Sequence, residues 1–206
     1  MAGTCGVDVS SHQPPDRVPW ASLRVDFAYI RAGFGLGVDQ AFGPHVLRAR
    51  EAGVPLLGAY HAFRPSRSVE KQVDLLDRSI DGVGGQLFPV LDVELIDDMT
   101  ARQVADAALE FVERIESRRG LRCVVYSYVA FLKAIPLDPS LALRPLIIAR
   151  YGGGPIVPAP WTSFVAHQYD GDGGEKAPNG LDLDFNRSPL SPEGLKAALF
   201  QRIEPA

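Results

Sequence analysis

The segment Phe88-Pro89-Val90-Leu91-Asp92-Val93-Glu94 sets two acids two positions apart at the end of an apolar run. On an extended strand alternate side chains share a face, so Asp92 and Glu94 project together, Val90 continues their row below, and Leu91 and Val93 face the other way. Residues i and i+2 lie roughly 6.5 Å apart along a strand. At that separation one ionised carboxylate raises the pKa of its neighbour, which keeps a proton available for general acid chemistry. Two further runs repeat the theme. Gly6-Val7-Asp8-Val9-Ser10 holds an acid between apolar flanks, and Leu181-Asp182-Leu183-Asp184-Phe185-Asn186 points Asp182, Asp184 and Asn186 to one side. Carboxylates from three strand ends would converge on an acidic cleft suited to a sugar polymer or to divalent metal ions. The plainer alternative is a set of ordinary surface acids at loop entries.

Other chemistries fit the sequence less well. The histidines His12, His45, His61 and His167 lie too far apart for a zinc-binding spacing. A carboxylate-only magnesium site stays open, but no cofactor is expected. There is no GxSxG nucleophile elbow, and Gly33-Phe34-Gly35-Leu36-Gly37 satisfies neither GxGxxG nor GxxxxGK.

The elements that must position these acids follow from hydrophobic period. Apolar runs predict eight strands, at 4–9, 27–31, 55–60, 87–94, 122–127, 145–149, 163–168 and 183–185. Between them the spacing predicts helices over 42–52 and 66–80, and a third from the N-cap Thr100 to Gly120. That third helix has a stripe of Val104, Ala108, Phe111 and Ile115, with Glu113, Glu116, Arg118 and Arg119 read as polar surface. A short helical stretch reaches Ala134. The later strands are joined by Pro- and Gly-rich loops without room for full helices. The alternation points to an α/β fold, a distorted TIM-like (β/α)5(β)3 barrel with its strands parallel, in a single domain over residues 1–206 with no separate wall-binding module.

Composition sets the outer bounds. The 206 residues are 46% hydrophobic and 22% charged, with 20 Gly and 17 Pro, which excludes a disordered tail, a disulfide miniprotein and a collagen-like rod. A formal net charge of −4 lacks the basic footprint of nucleic-acid binding. No run approaches the ~20 apolar residues of a membrane helix, so neither nucleic acid nor membrane is expected as a partner. Met1 to Gly6 has neither a basic start nor an apolar signal core, so the chain as given is read as soluble and without a secretion signal. Cys5 and Cys123 lie in apolar runs and read as small buried thiols.

Taken in order, Gly6-Val7-Asp8-Val9-Ser10-Ser11-His12-Gln13, Phe27 to Gly35, Gly58-Ala59-Tyr60-His61-Ala62-Phe63, Asp92-Val93-Glu94, Val125-Tyr126-Ser127, Ile148-Ala149-Arg150-Tyr151, Gln168-Tyr169 and Asp184-Phe185-Asn186 resemble the family 25 glycoside hydrolases. These are the Chalaropsis-type lysozymes, or N-acetylmuramidases. The similarity covers nearly the whole chain. The resemblance implies hydrolysis of the β-1,4 bond from N-acetylmuramic acid to N-acetylglucosamine in peptidoglycan. It implies Glu94 as general acid, Asp92 as stabiliser of the positive charge developing at the sugar, and Asp8 and Asp184 as further cleft acids. Tyr60, Tyr126, Tyr151, Arg31, His61 and Gln168 are candidate substrate contacts. Asp182 competes with Asp184 for the last motif, and Asp184 with Asn186 matches the family's Asp-x-Asn. Attack by an enzyme nucleophile and assistance by the substrate's 2-acetamido group both stay open.

The resemblance further implies a monomer acting on the bacterial cell wall, made in the cytoplasm as a phage endolysin, or secreted where a leader is missing. A chitinase-like glycosidase is an alternative, but its longer motif would place acids where Leu87 and Val90 stand. A non-catalytic wall-binding or virion structural module on the same barrel is another.

Overall fold

Runs of β-branched and aromatic residues become strands where neighbours cover both faces. In the computed structural model, which describes residues 3–171 and 173–203, these are β1 (Thr4–Val9), β2 (Phe27–Phe34), β3 (Gly37–Val38), β4 (Leu56–Ala62), β5 (Phe88–Asp92), β6 (Val124–Tyr128), β7 (Leu146–Ala149), β8 (Ala166–Asp170) and β9 (Asp184–Ser188). Met1, Ala2, Asp172 and residues 204–206, which the expected domain and the reading of the N-terminus include, lie outside the described residues.

The strand order is β1-β9-β8-β7-β6-β5-β4-β2-β3, and a further β1–β2 pairing closes all but β3 into an eight-stranded barrel. Helices α1 (Trp20–Leu23), α2 (Phe42–Glu51), α3 (Val69–Gly82), α4 (Ala101–Arg119) and α5 (Val129–Ala134) follow the first five barrel strands. Among the described residues no helix separates β7, β8 and β9, and α6 (Pro192–Leu199) comes last. This is the expected (β/α)5(β)3 barrel. One feature departs from the all-parallel expectation: β9 runs antiparallel to both β8 and β1. The segment before β9 stays at the end of the barrel where β8 finishes, so no crossover is needed.

Alternation sorts the strand residues into two cores. Phe27, Leu56, Phe88, Val90, Val124, Ile147 and Ala166 fill the barrel with Leu195 and Leu199 of α6, and Phe200 meets Phe88 edge-on at 5.5 Å. The last helix therefore plugs the N-terminal end of the barrel. Residues of opposite parity, such as Val7, Ile30, Leu91, Val125 and Ile148, pack against the helices. Two inward positions must be glycine, because a Cβ on Gly6 or Gly58 would enter the Phe27 or Phe88 ring.

The clearest helix is built as its sequence requires. Thr100 and Gln103 form a capping box at the start of α4, and Gly120 ends it with φ 64°. Two surface expectations are corrected. Glu116 is buried rather than solvated: its carboxylate accepts from Arg144 at 2.7 Å and from the Cys123 backbone at 3.0 Å. Cys5, read as a buried thiol, is exposed: it lies near the start of β1 across from the exposed Arg187 of β9, before the strand reaches the covered Val7. Cys123 is buried.

Candidate active site

The C-terminal ends of the parallel strands and the N-terminal end of β9 meet at one face of the barrel. Their inward side chains line a cleft of about 260 Å³: Asp8, Tyr29, Tyr60, Asp92, Glu94, Tyr126, Tyr151, Gln168 and Asp184. Register explains the convergence, since Asp8 lies across from Tyr29 on one side and Asp184 on the other, and Asp92 from Tyr126. The regular ladder of β5 ends at Asp92. Its extension is pinned by the Val93 N–H donating to the Tyr126 carbonyl at 3.0 Å and by the Ser127 hydroxyl donating to the Val93 carbonyl at 2.6 Å. These two bonds hold the segment that presents Glu94.

A single oxygen, Oδ2 of Asp8, accepts from Gln168 Nε2 and from Asn186 Nδ2, each at 2.8 Å. Each amide is itself held by phenols. Tyr126 and Tyr151 donate to Gln168 Oε1, both at 2.7 Å, and Tyr29 donates to Asn186 Oδ1 at 2.8 Å.

Burial dominates the electrostatics of this cluster. It pushes the Glu94 carboxyl from the usual 4.5 up to about 7, with the Asp8 charge adding to the rise. Asp92 is driven well above the ordinary aspartate range by burial, then by Glu94 and Asp8, against an opposing pull from Arg31. Asp8 is raised by burial and pulled back by its amide, phenol and Asp184 neighbours. Tyr29, Tyr60 and Tyr126 are held well above their usual values by burial and then by the acids, so they remain hydrogen-bond donors. The cleft therefore favours the protonated form of its acids, that of Glu94 up to about pH 7.

Not every candidate reaches the cleft. His61 follows Tyr60 on β4 and so points outward, where it stacks 5.5 Å from Phe111 and contacts Gln72 Oε1 at 3.1 Å. Burial there lowers its pKa to about 4, so it is neutral. Arg31 sits at the rim, donating from Nε to Asp39 at 2.7 Å and from Nη2 to Ser11 at 2.8 Å. It acts on Asp92 only through its charge. Asp182 is exposed to a separate hollow with His12, Gln13 and Arg17 and pairs with Lys176, whereas Asp184 lines the cleft. Tyr29 is not a candidate from sequence, and Asn186 enters there only as the partner of Asp184 in the Asp-x-Asn motif, without a role of its own. Both share the inward parity of nominated neighbours, Tyr29 that of Arg31 and Asn186 that of Asp184. Among the described residues no group of three or more His, Cys, Asp or Glu is arranged to hold a metal ion, and no helix is long and apolar enough to cross a membrane.

The barrel has counterparts among solved structures. The structure matches a muramidase from Trichobolus zukalii with a TM-score of 0.81 and 25% identity, over 95% of this chain and 98% of that one. It matches a bacterial lysozyme from Streptomyces coelicolor with a TM-score of 0.81 and 26% identity, over 97% and 98%. A curated relative, the uncharacterized protein YegX of Escherichia coli strain CFT073, is 33% identical over 135 residues, which is 61% of this chain and 48% of the relative. The chain thus spans about half the length of the curated relatives it matches. The family model described as glycosyl hydrolases family 25 matches residues 7–176, and the chain belongs to that family.

Proposed function

We propose that the chain is a peptidoglycan hydrolase of the lysozyme type, cleaving the β-1,4 bond between N-acetylmuramic acid and N-acetylglucosamine. The observation that carries this reading is the convergence of Asp8, Asp92, Glu94 and Asp184 on one cleft, with the proton on Glu94 retained up to about pH 7. The match to proteins named muramidase and lysozyme over nearly their full length supports it.

In this reading Glu94 donates its proton to the glycosidic oxygen as the C1–O bond breaks, and the leaving sugar departs as an alcohol. Positive charge then develops at C1 and the ring oxygen. That charge favours the ionised form of Asp92, which in the empty cleft is disfavoured by burial and by its acidic neighbours. Asp92 therefore releases its proton to water before the C1–O bond breaks, and its carboxylate then stabilises the charged transition state more than the neutral substrate, which is the differential stabilisation catalysis requires. The Glu94 carboxylate finally takes a proton from the water that attacks C1, restoring the acid. Tyr60, Tyr126 and Tyr151 offer ring faces and hydroxyls to the sugars.

The test is digestion of purified peptidoglycan, followed by borohydride reduction of the new ends and mass spectrometry. Reduced muramic acid is the expected product. Reduced glucosamine would make the protein a glucosaminidase, and sedimentation with walls without release of fragments would make it a binding module.

A further inference from the structure

No cation stands among the groups that act on Asp8. The cation felt in the cluster, Arg31, acts on Asp92 and Tyr60. What faces Asp8 instead is Tyr29 from β2, Asp92 and Glu94 from β5, Gln168 from β8, and Asp184 and Asn186 from β9, with the hydroxyl-bearing Tyr60 and Tyr126 beyond. An acid 5% exposed among other acids ordinarily takes up a proton. The local hydrogen bonding opposes this. Both amide donors converge on the same oxygen, and turning either amide over would set its carbonyl against Asp8 and oblige the phenols to accept where they now donate.

We propose that two tyrosine–amide relays, Tyr29 to Asn186 and the Tyr126–Tyr151 pair to Gln168, fix Asp8 as an ionised member of the acid cluster and so leave protons to the acids around it, Asp92 and Glu94 among them. In this arrangement each phenol donates to an amide carbonyl, which leaves the NH2 of that amide facing Asp8. Charge-assisted bonds of this kind are stronger than neutral ones. Asn186, Gln168 and Tyr29 are therefore positioning residues: they select which carboxyl holds the proton before any substrate is bound. The consequence for turnover rests on the hydrolase reading above, but the proton distribution does not.

The experiment is a carboxyl 13C NMR titration of the free, folded protein with labelled Asp and Glu, which needs no substrate. In the wild type Asp8 is expected to ionise at lower pH than Glu94 and Asp92. In Asn186→Leu, which removes one donor, the Asp8 titration is expected to rise by about one pH unit, the scale of one hydrogen bond to a charged group. In Tyr29→Phe, which leaves both amides but removes the hydroxyl that holds Asn186 and also acts on Asp8, it is expected to rise as well. If Asn186→Leu does not fold, Tyr29→Phe and Gln168→Met carry the test. The acidic limb of the pH–activity profile should move up with the Asp8 titration, while a merely structural role would lower activity evenly across pH. An Asp8 that ionises last in the wild type, or that titrates unchanged in the folded variants, overturns the proposal. Loss of the hydrolase reading with the Asp8 shifts intact would leave it standing.

Discussion

Replacing Glu94 by Gln should stabilise the protein, and by an amount that grows with pH. In the folded chain the carboxyl ionises at about 7 instead of 4.5, so between those values the native state binds a proton that the unfolded state has lost. Stability then falls as pH rises. Below 4.5 the group is neutral in both states and contributes nothing. Above 7 it is charged in both, and the rise corresponds to about 3 kcal/mol of lost stability at roughly 1.36 kcal/mol per pH unit. Gln has the same shape and never ionises, and its presence also removes one of the charges that raise Asp92. Urea or thermal unfolding of both proteins at pH 4, 6 and 8 measures the difference directly. The variant and wild type should be nearly equal at pH 4 and differ by about 3 kcal/mol at pH 8, or about 6–12 °C for a domain of this size. The same variant should lose at least about two orders of magnitude in lytic rate, the scale of a missing general acid. A stability difference that stays flat from pH 4 to 8 would refute the claim that Glu94 holds a displaced proton.

Three other substitutions separate the cleft from its supports. Asp8→Asn removes the charge that helps raise Glu94, so the basic limb of the pH–activity profile, set near pH 7 by Glu94, should move to lower pH. His61→Leu should leave kcat/KM on peptidoglycan within about twofold, because the ring faces Phe111 and not the cleft, while costing about 1–2 kcal/mol in urea unfolding through the bond lost to Gln72. Glu116→Leu should destabilise by about 3–5 kcal/mol, since it leaves the buried Arg144 without its carboxylate, and adding Arg144→Met should recover most of that loss.

The barrel was readable because its strands are short apolar runs separated by stretches of different period. Strand direction was not. The connections after β7 and β8 both lack helices among the described residues, yet residues 150–165 return to the opposite end of the barrel while residues 173–183 remain at the end where β8 finishes. Loop composition alone does not distinguish the two. Glu116 was misassigned by residue type, although it stands four positions after the buried Val112 and so shares its helical face. The short elements α1, β3 and α6 carry too few residues for a period to register, and α6 matters because it closes the barrel opposite the cleft.

The cleft itself follows one rule that the sequence contains in full. Ascending each parallel barrel strand except β7, whose row stays apolar from Ile147 to Ala149, the inward row begins with residues that fill the barrel and ends with polar ones: Gly6 then Asp8, Phe27 then Tyr29, Gly58 then Tyr60, Phe88 and Val90 then Asp92, Val124 then Tyr126, Ala166 then Gln168. The antiparallel β9 reads the same way from its other end, through Asn186 to Asp184. A polar group at that height must find partners, because burial leaves it no water, so the residues that end these rows are forced to bond to one another. This accounts for Tyr29 and Asn186, which residue type alone passes over, since a tyrosine and an asparagine in strands look structural. It equally removes His61, adjacent to Tyr60 and therefore on the opposite face. Parity and height along the strand, more than chemical type, decide which groups share the cleft. The sequence states both wherever one strand residue is securely assigned to the interior.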